Sequence, residues 1–183
     1  ASDIDLLDSA RFKSLSGPVS ADQHGAVAKL LTLAENADDD QFRAALKRVR
    51  TIKEGEGCPV VGLTGTGGAG KSSLTDEMML RIQRDNPGAK VALLATDPTR
   101  KRTGGALLGD RIRMNSLADD NLFMRSFASR ASGREIANCI DRAIEACQAV
   151  GFDLIIVETS GIGQGNDAIT EVADLSIYVT TRE

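Results

Sequence analysis

The chain has no tryptophan, one tyrosine and five phenylalanines among 183 residues. A core short of aromatic bulk must be filled by Leu, Ile, Val and Ala. Histidine is as scarce. His24 stands alone, so a Ser-His-Asp triad would have to pass through it, and a zinc site has almost no imidazole to use. The three cysteines, Cys58, Cys139 and Cys147, form no C-x-x-C pair. They read as small buried hydrophobes of a reducing compartment. No apolar run approaches the ~20 residues of a membrane span, so no membrane association is expected. Basic excess is missing too. The formal net charge is −4, which argues against a dedicated nucleic-acid binder. The N-terminal stretch carries Asp3, Asp5 and Asp8 where a secretory or mitochondrial signal would be cationic, and the expected location is cytoplasmic.

Glycine, by contrast, is concentrated. Val60-Val61-Gly62-Leu63-Thr64-Gly65-Thr66-Gly67-Gly68-Ala69-Gly70-Lys71-Ser72-Ser73 is an apolar strand running into G-x-x-x-x-G-K-S, with an amphipathic run from Leu74 to Ile82 behind it. Backbone N–H groups of Gly67, Gly68, Ala69 and Gly70 can wrap a phosphate chain. A helix opening near Gly70 aims its positive end at the same phosphates. Lys71 can reach β- and γ-phosphates, the Ser72 hydroxyl can ligate Mg²⁺, and Ser73 completes the cradle. The competing assignment, a glycine-rich turn that binds nothing, leaves Lys71-Ser72 unexplained.

Residues 1–57 carry no phosphate chemistry and read as a helical extension or linker. Val27, Leu30, Leu31 and Ala34 lie at helical spacing. Asp38-Asp39-Asp40 signals a helix start before Phe42, Ala45, Leu46, Val49 and Ile52. That triplet reads as a cap and solvated face rather than a metal site. Residues 58–183 alternate strand and helix. Strands are predicted over 58–64, 90–96, 122–127, 152–158 and 175–180, and helices over 71–84 and 133–149, with shorter ones near 105–114 and 167–173. Continuous runs such as Val91-Ala92-Leu93-Leu94-Ala95 and Leu154-Ile155-Ile156-Val157 suit strands buried on both faces. The fold class is therefore α/β, a doubly wound, mostly parallel P-loop sheet with an N-terminal helical extension. The chain opens without a methionine and stops just after a predicted strand, so it reads as a segment of a longer protein, truncated within this domain.

Ligands of such sheets sit at the carboxyl ends of the strands, which draws Ser72, Asp97 and Glu158 toward one edge. Asp97 can hold Mg²⁺ directly or through water; an Asp-Pro turn or helix cap is the competing role. Glu158-Thr159-Ser160-Gly161 ends the most hydrophobic strand. Its carboxylate stands where P-loop enzymes place a second acidic residue, and the Gly161 N–H can sense a γ-phosphate. Gly161, Gly163 and Gly165 around Gln164 suit a loop ordered by γ-phosphate and released on hydrolysis. In the segment 97–111, Arg100, Lys101 and Arg102 are either transition-state cations or a solvated face. Asp110 is a further candidate metal ligand or the partner of Arg111 or Arg113.

Gly65–Ser72, Asp97-Pro98-Thr99 with Thr103-Gly104-Gly105-Ala106-Leu107-Leu108-Gly109-Asp110-Arg111, and Val157-Glu158-Thr159-Ser160-Gly161-Ile162-Gly163-Gln164 together resemble the GTPase chaperones of adenosylcobalamin-dependent acyl-CoA mutases, the MeaB/ArgK branch of the SIMIBI P-loop GTPases. The resemblance covers roughly residues 58–183. Within that family, Arg111-Ile112-Arg113-Met114-Asn115 and Met124-Arg125-Ser126-Phe127-Ala128-Ser129-Arg130 are more similar to the G-domains of fused isobutyryl-CoA mutases than to free-standing chaperones. Residues 1–57 then resemble the linker from a cobalamin-binding domain. Asp22-Gln23-His24 matches the start of the D-x-H-x-x-G cobalamin signature, but Val27 stands where the glycine belongs, and the match is treated as coincidence.

The resemblance implies GTP or GDP with Mg²⁺ as ligands, Lys71 and Gln164 as catalytic residues, and Ser72, Asp97, Asp110 and Glu158 serving the metal. Gln164 orients water or caps backbone. It implies mutase and cobalamin-binding domains as partners, in the same chain or another, with an adenosyltransferase and a homodimeric parent protein in prospect. Adenosylcobalamin would be bound only by that parent or partner. The guanine-reading N-K-x-D motif lies beyond this chain, so base specificity is inherited from the resemblance. Alternatives are a free-standing methylmalonyl-CoA mutase chaperone, a P-loop small-molecule kinase or ATPase, and a nucleotide-dependent interaction module without turnover.

Overall fold

The computed structural model describes residues 15–51, 57–97, 120–128, 133–159 and 165–181. Two helices, α1 (His24–Asn36) and α2 (Asp39–Val49), precede β1 (Val60–Gly65), α3 (Lys71–Asp85), β2 (Val91–Asp97), β3 (Leu122–Ala128), α4 (Gly133–Val150), β4 (Leu154–Thr159), α5 (Gly165–Val172) and β5 (Leu175–Val179). The five strands form one sheet in the order β3-β2-β4-β1-β5, and every pairing is parallel. The expected α/β class is borne out, and the described sheet is wholly parallel.

Parallel strands buried on both faces divide their side chains by the pleat. Ala92 and Leu94 of β2, with Ile155 and Val157 of β4, join a core on one face that includes Leu30, Phe42, Ile144 and Ile169. Val91, Leu93 and Ile156 point the other way, to Leu63 and Met79 beneath α3. Helices thus cover both faces. The apolar stripe of α1, with Leu30, Leu31 and Ala34 buried, lies in the same core as α4 residues Ile140, Ala143 and Cys147.

The acidic triplet acts as the sequence suggests. Asp38 caps α2 by accepting from Gln41 N at 2.8 Å, with Asp39 and Asp40 in the first turn. The three cysteines are free thiols. Burial pushes Cys58 and Cys139 up to about 11, and Cys147 higher still, so they stay protonated and weakly nucleophilic near neutrality.

Three predicted strand starts shift, that of β2 by a single residue to Val91. β1 begins at Val60, whose N–H donates to Asp174 Oδ2 at 2.8 Å. β4 begins at Leu154, because the Phe152 N–H still turns back on the Cys147 carbonyl of α4 at 3.3 Å. The helix expected near 105–114 lies outside the described residues.

Arg142 of α4 holds the corner between α1 and α2. Its guanidinium donates to the Ala37 carbonyl at 2.9 Å and the Leu33 carbonyl at 3.4 Å, and it stacks 4.4 Å over the Phe42 ring. It thereby gives the Ala37 carbonyl at the end of α1 a donor and adds a second donor to the Leu33 carbonyl, which already accepts from Ala37 N–H at 2.9 Å. Arg142→Ala is expected to cost about 2 kcal/mol, from a charge-assisted hydrogen bond and the cation–π contact together, seen as a lower urea midpoint at unchanged slope.

Asp141 sits beside Arg142 in the chain. Although the residue is exposed, partial desolvation first, and then the Glu171 charge, raise its carboxyl pKa above the usual aspartate value. The unfolded carboxyl therefore loses its proton at lower pH than the folded one. Stability falls as pH rises through that interval, and the charged form is a cost at neutrality. Asp141→Asn should raise the melting temperature at pH 7 and leave it unchanged below pH 3.8, the ordinary aspartate value.

Candidate nucleotide site

The site forms where β1 gives way to α3. Gly70 is the N-cap of α3 at φ 85°, a left-handed conformation natural to glycine. Leu74 N–H then closes the first helical turn on the Gly70 carbonyl at 2.9 Å. The start of the loop is fixed by β5: Thr66 N–H donates to the Val179 carbonyl at 3.1 Å. Gly67, Gly68, Gly70, Ser72 and Ser73 are exposed, and Ala69 is half-buried, so the cradle opens to solvent at the helix N-terminus.

Lys71 is 7% exposed. Its ammonium donates to the Gly65 carbonyl at 3.0 Å and the Thr66 carbonyl at 2.9 Å. The cation is folded over its own loop, held near the place a phosphate chain would cross.

Across from it, Glu158 is 8% exposed at the carboxyl end of β4, level with Leu63 of β1 and Ala95 of β2. Ser72 Oγ donates to Glu158 Oε1 at 2.7 Å, although the two residues are 86 positions apart. Thr75 Oγ1, in a fully buried side chain, lies 3.0 Å from Glu158 Oε2. Thr159 and Thr64, side by side on β4 and β1, share a buried hydroxyl contact at 3.1 Å. The strand ends therefore carry a layer of oxygen atoms under the glycine loop.

The predicted residues fall into three groups. Lys71, Ser72 and Glu158 are brought together with the loop Gly67, Gly68, Ala69 and Gly70, and Ser73 follows in the first turn of α3. Asp97 is the last residue of β2, one position beyond the Thr96–Thr159 pair at the same end of the sheet. Asp110, Gly161 and Gln164 lie outside the described residues. Thr75 was missed by sequence reading. Its only local signal is a hydroxyl three positions after Ser72, on the same helix face.

Oxygen donors alone suit Mg²⁺. That ion keeps several waters and takes the rest of its shell from one or two protein oxygens and phosphate, so a hydroxyl paired with a carboxylate at 2.7 Å is a fitting protein share.

The profile of the family described as methylmalonyl Co-A mutase-associated GTPase MeaB matches residues 27–183. A fused isobutyryl-CoA mutase of Geobacillus kaustophilus is 50% identical over 165 residues, covering 86% of this chain and 15% of that protein. A second, from Cupriavidus metallidurans, is 48% identical over 182 residues, covering 99% of this chain and 16% of the relative. A Pyrococcus horikoshii protein, named provisionally as a GTPase, is 42% identical over 156 residues, 85% of this chain and 48% of its own length. The chain thus spans about one sixth of the fused mutases and about half of the shorter relative. Among solved structures, a LAO/AO transport system kinase superposes with a TM-score of 0.66 over 87% of this chain and 46% of its own, at 23% identity, a likeness of fold. By sequence, the chain belongs to the MeaB family of mutase-associated GTPases.

Proposed function

We propose that this chain binds and hydrolyses GTP with Mg²⁺, as the chaperone segment that gates cofactor loading and protection of an adenosylcobalamin-dependent acyl-CoA mutase of the isobutyryl-CoA type. The observation that carries the nucleotide reading is the Ser72–Glu158 hydrogen bond at 2.7 Å beneath the glycine loop. It joins the phosphate-loop hydroxyl to the second-strand carboxylate across 86 positions of sequence, which a turn that binds nothing has no reason to do.

In this reading Gly67, Gly68, Ala69, Gly70 and Ser73 present N–H groups to the phosphates. Lys71 has three donors. Two rest on loop carbonyls, and the third meets a β- or γ-oxygen. Ser72 would hold Mg²⁺ through its hydroxyl, Glu158 and Asp97 would serve the ion directly or through water, and Asp110 would join them during the nucleotide cycle. The metal, when bound, neutralises charge on the phosphates. Gly161 reports the γ-phosphate, and Gln164 orients water or caps backbone. Catalysis is positioning and electrostatics. The fused relatives support a mutase partner; this reading adds a cobalamin-binding domain, with residues 1–57 as the connecting part and 58–183 as the GTPase part.

Calorimetric titration of the chain with GDP and with ADP, each with Mg²⁺, tests the nucleotide reading. Selective GDP binding is expected. ADP bound as tightly or more tightly would replace this reading with that of an ATP-using P-loop enzyme. The gating role is tested by adding cobalamin-free mutase domains and following cofactor uptake. A rate independent of GTP would refute it.

A further inference from the structure

We infer that Thr75 is a positioning residue, holding the Glu158 carboxylate so that the Ser72 hydroxyl presents its lone pairs to the metal side of the nucleotide site. The inference rests on the nucleotide reading above and extends it to a residue outside the G-x-x-x-x-G-K-S pattern.

Thr75 is fully buried. Its one hydroxyl proton has two acceptors within reach, Glu158 Oε2 at 3.0 Å and the Lys71 carbonyl at 3.0 Å. The Lys71 carbonyl is also the α-helical acceptor for the backbone N–H of residue 75. A carboxyl oxygen has lone pairs to spare while the Lys71 carbonyl is already taken by the helix ladder, so the proton goes to Glu158. Ser72 and Thr75 are spaced i,i+3 and share one face of α3. Together they grip the carboxylate at both oxygens, Oε1 from Ser72 and Oε2 from Thr75.

The grip sets the rotor of Ser72. A serine hydroxyl has one donor and two lone pairs. With the proton committed to Oε1 at 2.7 Å, the lone pairs face away from Glu158, toward the open mouth of the loop. A cation arriving there with a phosphate meets an oriented ligand. Without the Thr75 hydroxyl, Ser72 is the one donor to this carboxylate among the described contacts. Glu158 can then turn about its terminal torsion, and the Ser72 rotor turns with it.

A threonine kept only to fill space predicts something different. Valine has the same shape, so Thr75→Val would be neutral for binding if packing were the whole role. Partners that orient metal ligands typically cost about 10–100-fold in metal affinity when removed, and that loss should show as lost coupling between Mg²⁺ and nucleotide.

The experiment measures GDP affinity of the whole chain in Mg²⁺ and in EDTA, for the unsubstituted protein, Thr75→Val and Thr75→Ser. In Thr75→Val the Mg²⁺/EDTA affinity ratio should fall about tenfold or more, with EDTA affinity within about twofold. Thr75→Ser, which keeps the hydroxyl, should restore the ratio. A Thr75→Val ratio equal to that of the unsubstituted chain overturns the inference, as does failure of Thr75→Ser to rescue. If Thr75→Val does not fold, Thr75→Ala gives the same comparison. Should the unsubstituted chain bind no GDP in Mg²⁺, the nucleotide reading itself falls and takes this inference with it. Normal Mg²⁺-dependent binding with an unaltered Thr75→Val removes this inference alone.

Discussion

Lys71→Ala should leave the unliganded chain folded and erase the stabilisation that GDP and Mg²⁺ confer. The ammonium is nearly enclosed and spends two donors on the Gly65 and Thr66 carbonyls. Losing those bonds loosens the loop, yet the substitution also removes a charge from a poorly solvated position. The two effects oppose, and the melting temperature without ligand should move by only a few degrees. Binding has no such compensation, because no other described cation stands at the loop. At a GDP concentration about 100 times the dissociation constant, the unsubstituted chain gains about 2.7 kcal/mol. If the variant binds about 100-fold more weakly, the same concentration yields only about 0.4 kcal/mol. Thermal unfolding of both proteins with and without GDP and Mg²⁺ reads the difference directly. Equal ligand-induced shifts would place the phosphates away from this loop.

The second large effect is expected from Gly65→Ala. Gly65 closes β1 at φ 139°, where an L side chain is strained, and an added Cβ would lie 1.9 Å from the Val179 carbonyl oxygen and 2.7 Å from its carbon. These are backbone atoms of β5, so the clash has no flexible side chain to absorb it. Among the described strands β5 lies at the edge, paired only with β1, and its Tyr178 is 63% exposed. Ile177 packs against the core beneath α3, and the ladder to β1 sets its register. The alanine variant must part the strands at this end and lose the Thr66–Val179 hydrogen bond. A cost of about 3–5 kcal/mol is expected, a large share of a typical domain's ~5–15 kcal/mol. Gly62→Ala makes the informative comparison. Its Cβ would meet the Ile169 Cγ2 at 2.3 Å, a side-chain methyl that can shift, so about 1–3 kcal/mol is expected there. Urea unfolding of the two variants ranks them, and the reverse order would show that β5 is not fixed by the Gly65 contact.

The central strands are legible in the sequence because parallel strands covered on both sides must be apolar throughout. Val91–Ala95 and Leu154–Val157 announce themselves for that reason. Strand beginnings are less so, since the partner that starts β1 is Asp174, 114 positions away. The order of strands is not local at all. Nothing near Leu154 says that β4 lies between β1 and β2. The same division holds for the site. Lys71 and Ser72 are read from spacing, and Glu158 from its place after an apolar run. Thr75 looks like any residue of an amphipathic helix until the sheet brings Glu158 beside it. Arg142 likewise reads as a surface cation of α4, and only the packing of α1 and α2 turns it into the clamp of their corner.

The strand order also dictates when the site can come into being as the chain is made. β1, the glycine loop and α3 are complete by Asp85, and β2 by Asp97, yet these two strands are not neighbours. The slot between them is filled by β4, which ends at Thr159 and carries Glu158 into place. A growing chain that displays Lys71 and Ser72 still lacks the carboxylate opposite them and the strand that supports it. Since closing contacts across long stretches is the slow part of folding, the acidic wall arrives late, by insertion into a gap. Nascent chains arrested before residue 154 should fail to retain Mg²⁺–GDP, and those extended past β5 should hold it, which makes nucleotide capture a readout of finished assembly.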